Sequence, residues 1–417
     1  MVLLTHVLEA SEGNPTITPL RVSVSNMPWN RLCRAAGIAL EADADADAGG
    51  RKTFMLQERI EPAWLEAFEA VLRRCALKPD DTVAILCETQ SRPILIELAR
   101  LSAARLGAQT FVLTLPSVFA AHEPAVRSTG ACEAVAHIGP VVAALQACTL
   151  VVDCTVEGLM HAAELPAILK GNGQTQPRIV YVSNEHPEAL VRLLPDDATE
   201  ARVKAHVKRM RAAKAMRVAS DAGTDLSISL KGAVVGGNWG TTTRPGTLTH
   251  WPGGLVLAFP AAGSVNGRLV LAEGDVNLTF KRYIERPVTL TIEDDHVVHI
   301  DGTGVDAALL RSYFAAWDDE PSQQRMAGVG VDRPPAYAVS HVGYGLNDAA
   351  RWDSMALYDK RDFNGTELRA FAGNFLYSTG ANEVAGRHTR GHFDWPMRGC
   401  TVELDGETVV KAGEVIA

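Results

Sequence analysis

Residues 82–115 read TVAILCETQSRPILIELARLSAARLGAQTFVLTL, and this stretch decides the fold. It begins with TVAILC (82–87), a short apolar run typical of a buried parallel strand. A helix is predicted over residues 93–106 and ends at Gly107. Residues 110–115 (TFVLTL) then form a second predicted buried strand, so the segment is a strand–helix–strand unit.

The same alternation continues on both sides of this unit. Pro62 begins an earlier helix whose apolar residues recur at spacings of three and four. After the unit come a strand at residues 150–154 (LVVDC), a helix across 157–169 and a strand at 178–183 (RIVYVS). Alternation at this pitch predicts a doubly wound α/β domain. The two common glycine-rich nucleotide-binding motifs are G-x-G-x-x-G and G-x-x-x-x-G-K-[ST], and neither follows any of these strands.

Beyond about residue 216 the sequence pattern changes to short strand-forming segments separated by glycine-rich turns. One helix is expected over residues 306–317. We therefore predict an N-terminal α/β domain at residues 1–215 and a C-terminal β-rich α+β domain at 216–417 that carries the metal. The acidic, glycine-ended stretch 41–50 (EADADADAGG) is expected to be an exposed low-complexity loop.

Composition excludes several classes of partner. A net charge of −9 and a pI near 5.8 argue against binding to nucleic acid or to an anionic membrane. We find no apolar stretch of membrane-spanning length and no signal-peptide pattern in the first ten residues. The seven cysteines include no C-x-x-C pair, which fits reduced thiols. We therefore expect a cytoplasmic enzyme.

Chemistry-bearing residues gather near the C-terminus, in SHVGYGLN (340–347) and RHTRGHFD (387–394). His392 and Asp394 form an H-x-D pair, and residues two apart in an extended segment project from the same side. A pair of this kind plus one distant histidine makes the 2-His-1-carboxylate triad of oxygen-activating iron(II). We choose His341 as the third ligand, because a glycine-rich turn follows it and can expose its ring.

His388 competes with His341 for that position, because it stands four residues before His392 and would meet it on a helix. Thr389, Arg390 and Gly391 between them are poor for an ordered helix. His388 is therefore expected to contact the substrate or to support the metal ligands. Whether it is itself a ligand stays open.

Five motifs carry a resemblance to a known family, and they are listed here: DCT (153–155) followed by EGLMH (157–161), EHPE (185–188), HWPGG (250–254), HVGYGLN (341–347) and GHFD (391–394). From about residue 60 the sequence resembles the 2,5-dihydroxypyridine 5,6-dioxygenases, iron enzymes of nicotinate and picolinate breakdown. That family is similar in fold to the thermophilic leucyl aminopeptidases. The first forty to fifty residues are assigned no role.

The resemblance implies that His341, His392 and Asp394 bind one Fe(2+). It also implies that His161 is the acid/base residue, whereas from the residues alone an exposed helix turn is the simpler reading of His161. His186 is expected in a loop with a possible pocket role. Contacts with the substrate, or support of the metal ligands, are expected from two further side chains, Tyr344 and Asn347.

The implied reaction joins 2,5-dihydroxypyridine, or a closely related hydroxylated ring, with O₂ and opens the ring to N-formylmaleamate. We therefore expect the substrate to be a small aromatic molecule. We also expect the protein to be a homo-oligomer that binds neither nucleic acid nor membrane.

Two alternatives remain. The first is a leucyl-type aminopeptidase with two metal ions and Tyr344 as an electrophile. Peptidases of that fold tend to carry a glutamate directly after a Pro-x-Gly segment, whereas here Leu255 follows Pro252-Gly253-Gly254. A paired metal site needs several carboxylates, and the loss of one leaves room for a single ion. The second alternative is a non-catalytic metal-binding or ligand-binding protein of the same fold.

Overall fold

The computed structural model describes residues 59–118, 132–319, 333–358 and 364–416. The predicted loop at residues 41–50 lies outside these ranges. Within them the chain combines one parallel sheet flanked by helices with a β-rich part made of antiparallel sheets. The predicted fold class is thus confirmed. A search of the described helices finds none long and apolar enough to cross a membrane.

Two helices begin at the prolines that the sequence indicated, because a proline at the first helical position has no N–H to leave unpaired. The helices of the described chain are α1 (Pro62–Arg74), α2 (Pro93–Arg105), α3 (Gly139–Gln146), α4 (Leu165–Lys170), α5 (Pro187–Arg192), α6 (Asp197–Ala212), α7 (Gly304–Ala315), α8 (Ser354–Leu357) and α9 (Thr366–Ala370), with 3₁₀ turns at Pro335–Tyr337 and Glu383–Ala385.

The strands of the described residues are β1 (Thr82–Glu88), β2 (Gln109–Leu115), β3 (Leu150–Asp153), β4 (Arg178–Val182), β5 (Ala215–Ser220), β6 (Asp225–Ser229), β7 (Val234–Asn238), β8 (Leu248–Trp251), β9 (Leu255–Phe259), β10 (Val265–Leu271), β11 (Val276–Asn277), β12 (Arg282–Tyr283), β13 (Val288–Glu293), β14 (His296–Gly302), β15 (Val339–Gly345), β16 (Phe375–Thr379), β17 (Phe393–Met397), β18 (Cys400–Leu404), β19 (Glu407–Lys411) and β20 (Glu414–Val415).

The parallel sheet has the order β2-β1-β3-β4-β8 and is covered on both faces. Val83 and Ile85 pack in the apolar cluster that includes α1 and α2, whereas Ala84 and Leu86 pack in the cluster that includes α3 and α4. Such coverage of both faces explains the continuous apolar run in β1. β8 lies beyond residue 216, so the parallel sheet takes strands from both sides of the predicted boundary. The division of the chain at 215/216 stays a prediction.

Strand β2 corrects one expectation, because it is not a buried strand. It lies at the edge of the parallel sheet, and most of its residues are exposed or half-buried within the described part of the protein. Phe111 and Val112 are 38% and 40% exposed. The apolar run of β2 therefore identified a strand correctly but gave no measure of its burial.

The helix predicted across residues 157–169 is also corrected. The chain makes turns after β3, and helix α4 begins at Leu165. The side chain of Asp153 accepts hydrogen bonds from the backbone N–H groups of Thr155 and Leu159. Bonds of this kind compete with helix formation, and Gly158 adds a positive φ of 81°.

The β-rich part contains an eight-stranded sheet, β14-β13-β10-β6-β5-β18-β19-β20, and a five-stranded sheet, β17-β16-β15-β9-β7. One large apolar cluster draws residues from both sheets and from α7. The five-stranded sheet matters most for function, because β15, β16 and β17 are neighbours and carry the C-terminal motifs.

Candidate metal centre and active site

Three neighbouring strands bring the predicted metal ligands together. His341 on β15 is opposite Ser378 on β16, and Ser378 is in turn opposite Asp394 on β17. His392 directly precedes β17 and lies two residues before Asp394, a spacing at which side chains of an extended segment project to the same side. One ligand atom from each of His341, His392 and Asp394 lies within 4.8 Å of the others, and all three residues are buried.

The carboxylate of Asp394 is held at both oxygens. Oδ1 accepts a hydrogen bond from the Ser378 hydroxyl and lies 3.4 Å from Nε2 of His392. Oδ2 accepts from Nε of Arg369 at 2.7 Å and from a terminal nitrogen of the same guanidinium at 2.6 Å. Burial alone would raise the pKa of Asp394, but Arg369, His392 and His341 outweigh it, so the pKa lies well below its usual value. The carboxyl group of Asp394 is therefore ionised.

Both histidines of the cluster offer nitrogen atoms. Burial, against the opposing charge of Asp394, lowers the pKa of His341 to about 3, so its ring is neutral. Nδ1 of His341 and Nδ1 of His392 are buried and have no hydrogen-bond partner among the described residues. Gly380, at φ +129°, leaves space for His392, because a Cβ there would lie 2.9 Å from Nδ1.

This donor set fits one divalent metal ion. Two imidazoles and one carboxylate on one face of a sheet are the ligands of mononuclear non-haem iron(II), and they leave coordination positions open for reactants. Within the described ranges, His341, His392 and Asp394 are also the one group of three or more possible metal ligands that lie this close together. The residues present therefore suit a single ion better than a pair.

His161 reaches the same place from the other half of the chain. It lies in the turn after β3, and its ring centroid is 4.9 Å from that of His392. His341 and His392 are themselves 5.4 Å apart. Burial, followed by the charges of His392 and His341, lowers the pKa of His161 well below its usual value. A neutral imidazole is a proton acceptor, so this position suits acid/base chemistry.

His250 belongs to the HWPGG motif, but the sequence analysis assigned it no role. It stands on β8, its ring packs edge-on against Tyr181 at 5.3 Å, and its Nε2 is buried without a hydrogen-bond partner in the described structure. Burial lowers its pKa to about 4, with a smaller contribution from Arg369. Its charged form would in turn lower the pKa of His161. The available signal was its place at the carboxyl end of a parallel strand, where ligands of α/β sheets bind.

Tyr344 and Asn347 are not brought to the metal ligands. Side chains alternate along β15, so Tyr344 points to the face opposite His341, and its hydroxyl lies 3.0 Å from Nδ1 of His206 on α6. Asn347 donates to the carbonyl of Gly253 at 2.8 Å and accepts from the N–H of Ala349 at 3.0 Å. These contacts hold both side chains in place, and the substrate-contact or supporting roles expected from the sequence stay predictions.

His186 and His388 also lie outside the cluster of His341, His392 and Asp394. His186 precedes α5 and accepts a hydrogen bond from the N–H of Glu188, and its ring stacks on Tyr358 with centroids 4.9 Å apart. His388 is exposed and does not belong to the ligand cluster. The geometry therefore favours His341 over His388 as the third ligand, and the pocket role of His186 stays a prediction.

Comparisons with known proteins agree with this architecture. A family model described as 2,5-dihydroxypyridine 5,6-dioxygenase matches residues 63–417. Over 358 residues the chain is 36% identical to the 2,5-dihydroxypyridine 5,6-dioxygenase of Pseudomonas putida KT2440, covering 84% of this chain and 95% of that protein. The resemblance drawn from the sequence motifs is confirmed.

Two solved structures are similar. The 2,5-dihydroxypyridine dioxygenase from Pseudomonas putida KT2440 matches with a TM-score of 0.76 at 33% identity, covering 86% of this chain and 99% of that one. Wild-type AmpT from Thermus thermophilus matches with a TM-score of 0.53 at 16% identity, covering 85% of this chain and 99% of that one. The second likeness shows a shared fold and nothing about activity.

Proposed function

This chain belongs to the 2,5-dihydroxypyridine 5,6-dioxygenase family, and from that premise we propose that it opens a hydroxylated pyridine ring with one iron(II). The substrate is 2,5-dihydroxypyridine or a close relative, the bond between ring carbons 5 and 6 breaks, and both atoms of O₂ enter the product. N-formylmaleamate is the substrate plus O₂, so the reaction needs no external reductant.

The observation that carries this proposal is the meeting of two sets of residues. His341, His392 and Asp394 offer a three-ligand face, and the ring of His161 lies against His392 from the other half of the chain. A three-ligand face by itself fits a binding protein as well as an enzyme. A neutral histidine beside it adds the group that a hydroxylated substrate needs when it ionises.

His341, His392 and Asp394 would hold the iron. Iron(II) bound there would supply the one-electron chemistry that allows O₂ to react with an aromatic ring, with open positions beside the three protein ligands. Asp394 contributes negative charge that partly balances a dication. Arg369 and Ser378 fix the direction of that carboxylate through charge-assisted hydrogen bonds.

His161 would accept the proton of a ring hydroxyl when the substrate binds. Its ring is neutral near pH 7, because burial and the neighbouring histidines disfavour the cation. The bound anion is then the electron-rich form of the ring. His161 can later return the proton to the opened product, so one residue serves as base and acid in turn.

We also propose that the enzyme is a homo-oligomer of the cytoplasm. The described cysteines are free and buried, which fits a reducing compartment. Static light scattering on the purified full chain measures the oligomeric state. A monomeric mass at micromolar concentration would contradict that part of the proposal.

An oxygen-electrode assay tests the catalytic proposal against its two rivals. Protein reconstituted anaerobically with iron(II) is mixed with 2,5-dihydroxypyridine in buffer that contains oxygen, and loss of the substrate is followed in parallel. We expect one O₂ to be consumed for each ring opened. Hydrolysis of amino-acid anilides by the zinc-loaded protein, without oxygen uptake, would favour the aminopeptidase. Tight metal binding with neither activity would favour the non-catalytic binding protein.

A further inference from the structure

The turn that carries His161 is fixed by a buried side chain of the neighbouring strand. The N–H of Ala162 donates to the carbonyl of Leu159 at 3.0 Å, so His161 lies inside a closed turn. Leu159 is fully buried, and its N–H donates to Oδ2 of Asp153 at 3.0 Å. The first residue of the turn is thus tied directly to the last residue of β3.

The other oxygen of Asp153 is tied to Thr155. Oδ1 accepts from the N–H of Thr155 at 3.0 Å and from its hydroxyl at 2.6 Å. The same hydroxyl oxygen accepts from the N–H of Gly158 at 3.1 Å. Asp153 and Thr155 are both fully buried, so water does not compete for these bonds. Together the two side chains hold three backbone N–H groups of the segment from residue 155 to 159.

The middle of the segment is fixed separately. Oε1 of Glu88, at the end of β1, accepts from the N–H of Val156 at 3.1 Å, and the carbonyl of Val156 accepts from the Tyr181 hydroxyl at 3.0 Å. Gly158 passes so close to Tyr181 that a Cβ there would lie 3.1 Å from a ring atom. The segment therefore has few alternative conformations while these bonds are made.

We propose that Asp153 and Thr155 are positioning residues, which set the place of the His161 imidazole beside His392 without touching the substrate. This inference rests on the proposed function, in which His161 moves the substrate proton. Proton transfer requires heavy atoms within hydrogen-bond reach, and a displacement of about 1 Å can cost roughly 100-fold in rate. The buried network supplies that precision at a turn which has no regular secondary structure of its own.

The first test removes the hydroxyl group of Thr155 while the shape of the side chain is kept. Thr155→Val loses the bonds to Asp153 and Gly158, whereas Thr155→Ser keeps the hydroxyl. We expect Thr155→Val to lower kcat roughly 10- to 100-fold, with the iron content unchanged and the KM for 2,5-dihydroxypyridine within a few-fold of wild type. Thr155→Ser should restore kcat to within a few-fold. Wild-type kcat in Thr155→Val would overturn the proposal.

A matched control separates positioning from simple stability. The hydroxyl of Thr224 is also buried, accepts from the N–H of Val270 at 2.9 Å and donates to its carbonyl at 3.3 Å, but it lies at the eight-stranded sheet. Thr224→Val should lower the melting temperature about as much as Thr155→Val and leave kcat near wild type. An equal loss of kcat in both variants would mean that activity follows stability alone.

A double-mutant cycle with His161→Ala gives the decisive readout. If Thr155 acts through His161, Thr155→Val should slow wild type but have no further effect on turnover in the His161→Ala background. If Thr155→Val lowers kcat by the same factor in wild type and in His161→Ala, Thr155 acts independently of His161, and the proposal fails. Asp153→Asn, which places an amide group against the N–H of Leu159 or of Thr155, is taken through the same cycle as a second variant.

The cycle also separates this inference from the function on which it rests. Normal turnover in His161→Ala alone would refute the proton role of His161, and with it any positioning role for Asp153 and Thr155. Slow turnover in His161→Ala together with additive effects of Thr155→Val would leave the proposed function standing and overturn the positioning role by itself.

Discussion

The rings of His161 and His392 lie 4.9 Å apart, although one follows a strand of the parallel sheet and the other precedes a strand of the antiparallel sheet. The proposed proton acceptor and the proposed metal ligands thus come from different parts of the fold. Metal binding and proton transfer should therefore be separable by mutation.

His161→Ala is predicted to keep its iron, because the three proposed ligands lie on β15, on β17 and just before β17. It should still bind 2,5-dihydroxypyridine but turn over roughly 10²- to 10⁴-fold more slowly, as expected for the loss of a general base. Iron analysis, anaerobic substrate titration and oxygen uptake measure the three quantities. His299→Ala, at an exposed histidine of β14, serves as the control and should behave as wild type. Loss of iron in His161→Ala would instead identify it as a metal ligand.

Asp394→Asn is predicted to lower ring-opening activity by orders of magnitude while the fold is kept. The substitution preserves shape but removes the charge that balances iron(II) and that pairs with Arg369. Activity and circular dichroism are measured side by side. Asp306→Asn is a matched control, since Asp306 is also buried, lies 2.8 Å from an arginine, Arg282, and does not belong to the cluster of His341, His392 and Asp394. Activity of Asp394→Asn within a few-fold of wild type would exclude Asp394 as a ligand.

Arg387→Met is predicted to destabilise the protein by about 3–5 kcal/mol. Arg387 and Asp295 form an ion pair that is almost fully buried, so removal of the arginine leaves an unpaired buried charge. Urea unfolding at pH 7 measures the free energy of unfolding. Arg217→Met removes the partner of the exposed Asp225 and should change stability by less than about 0.5 kcal/mol. Equal stability losses in the two variants would contradict the contrast in burial.

Stability should fall as the pH is lowered through the range from 6.5 to about 4, and His206 should contribute to that loss. Burial, with help from Arg209 and Arg202, lowers the pKa of His206 to about 4 in the folded protein. Below pH 6.5 the unfolded state therefore binds more protons than the folded state and is favoured. His206→Gln keeps a side chain that can pair with Tyr344 but does not titrate. Urea unfolding at pH 7.5 and pH 5 should show a smaller pH dependence in this variant, and an unchanged pH dependence would refute the assignment.

Much of the fold was predictable because its signals are local. Apolar runs such as 82–87 and 178–183 identified the parallel strands, and prolines marked the starts of α1 and α2. The H-x-D spacing predicted that His392 and Asp394 project to one side of an extended segment, which requires no knowledge of the rest of the fold. The helix predicted after β3 was wrong because the side chain of the buried Asp153 takes two of the segment's N–H groups, and apolar periodicity does not register such bonds.

The remaining site residues depend on contacts between distant segments. Ser378 meets Asp394 through the pairing of β16 with β17, and Arg369 reaches it from α9; no spacing in the sequence encodes either contact. Tyr344 differs from these two. It lies three residues after His341, and the period of two along a strand, once β15 is recognised as a strand, places it on the opposite face.

The metal content of the protein tests the central claim most directly. Full-length protein, reconstituted anaerobically with iron(II) and freed of excess metal, should hold close to one iron per chain. His392→Ala should lose that iron, whereas His388→Ala, four residues earlier and exposed, should keep it. Two tightly bound zinc ions per chain, or equal iron binding by wild type and His392→Ala, would contradict a single iron held by His341, His392 and Asp394.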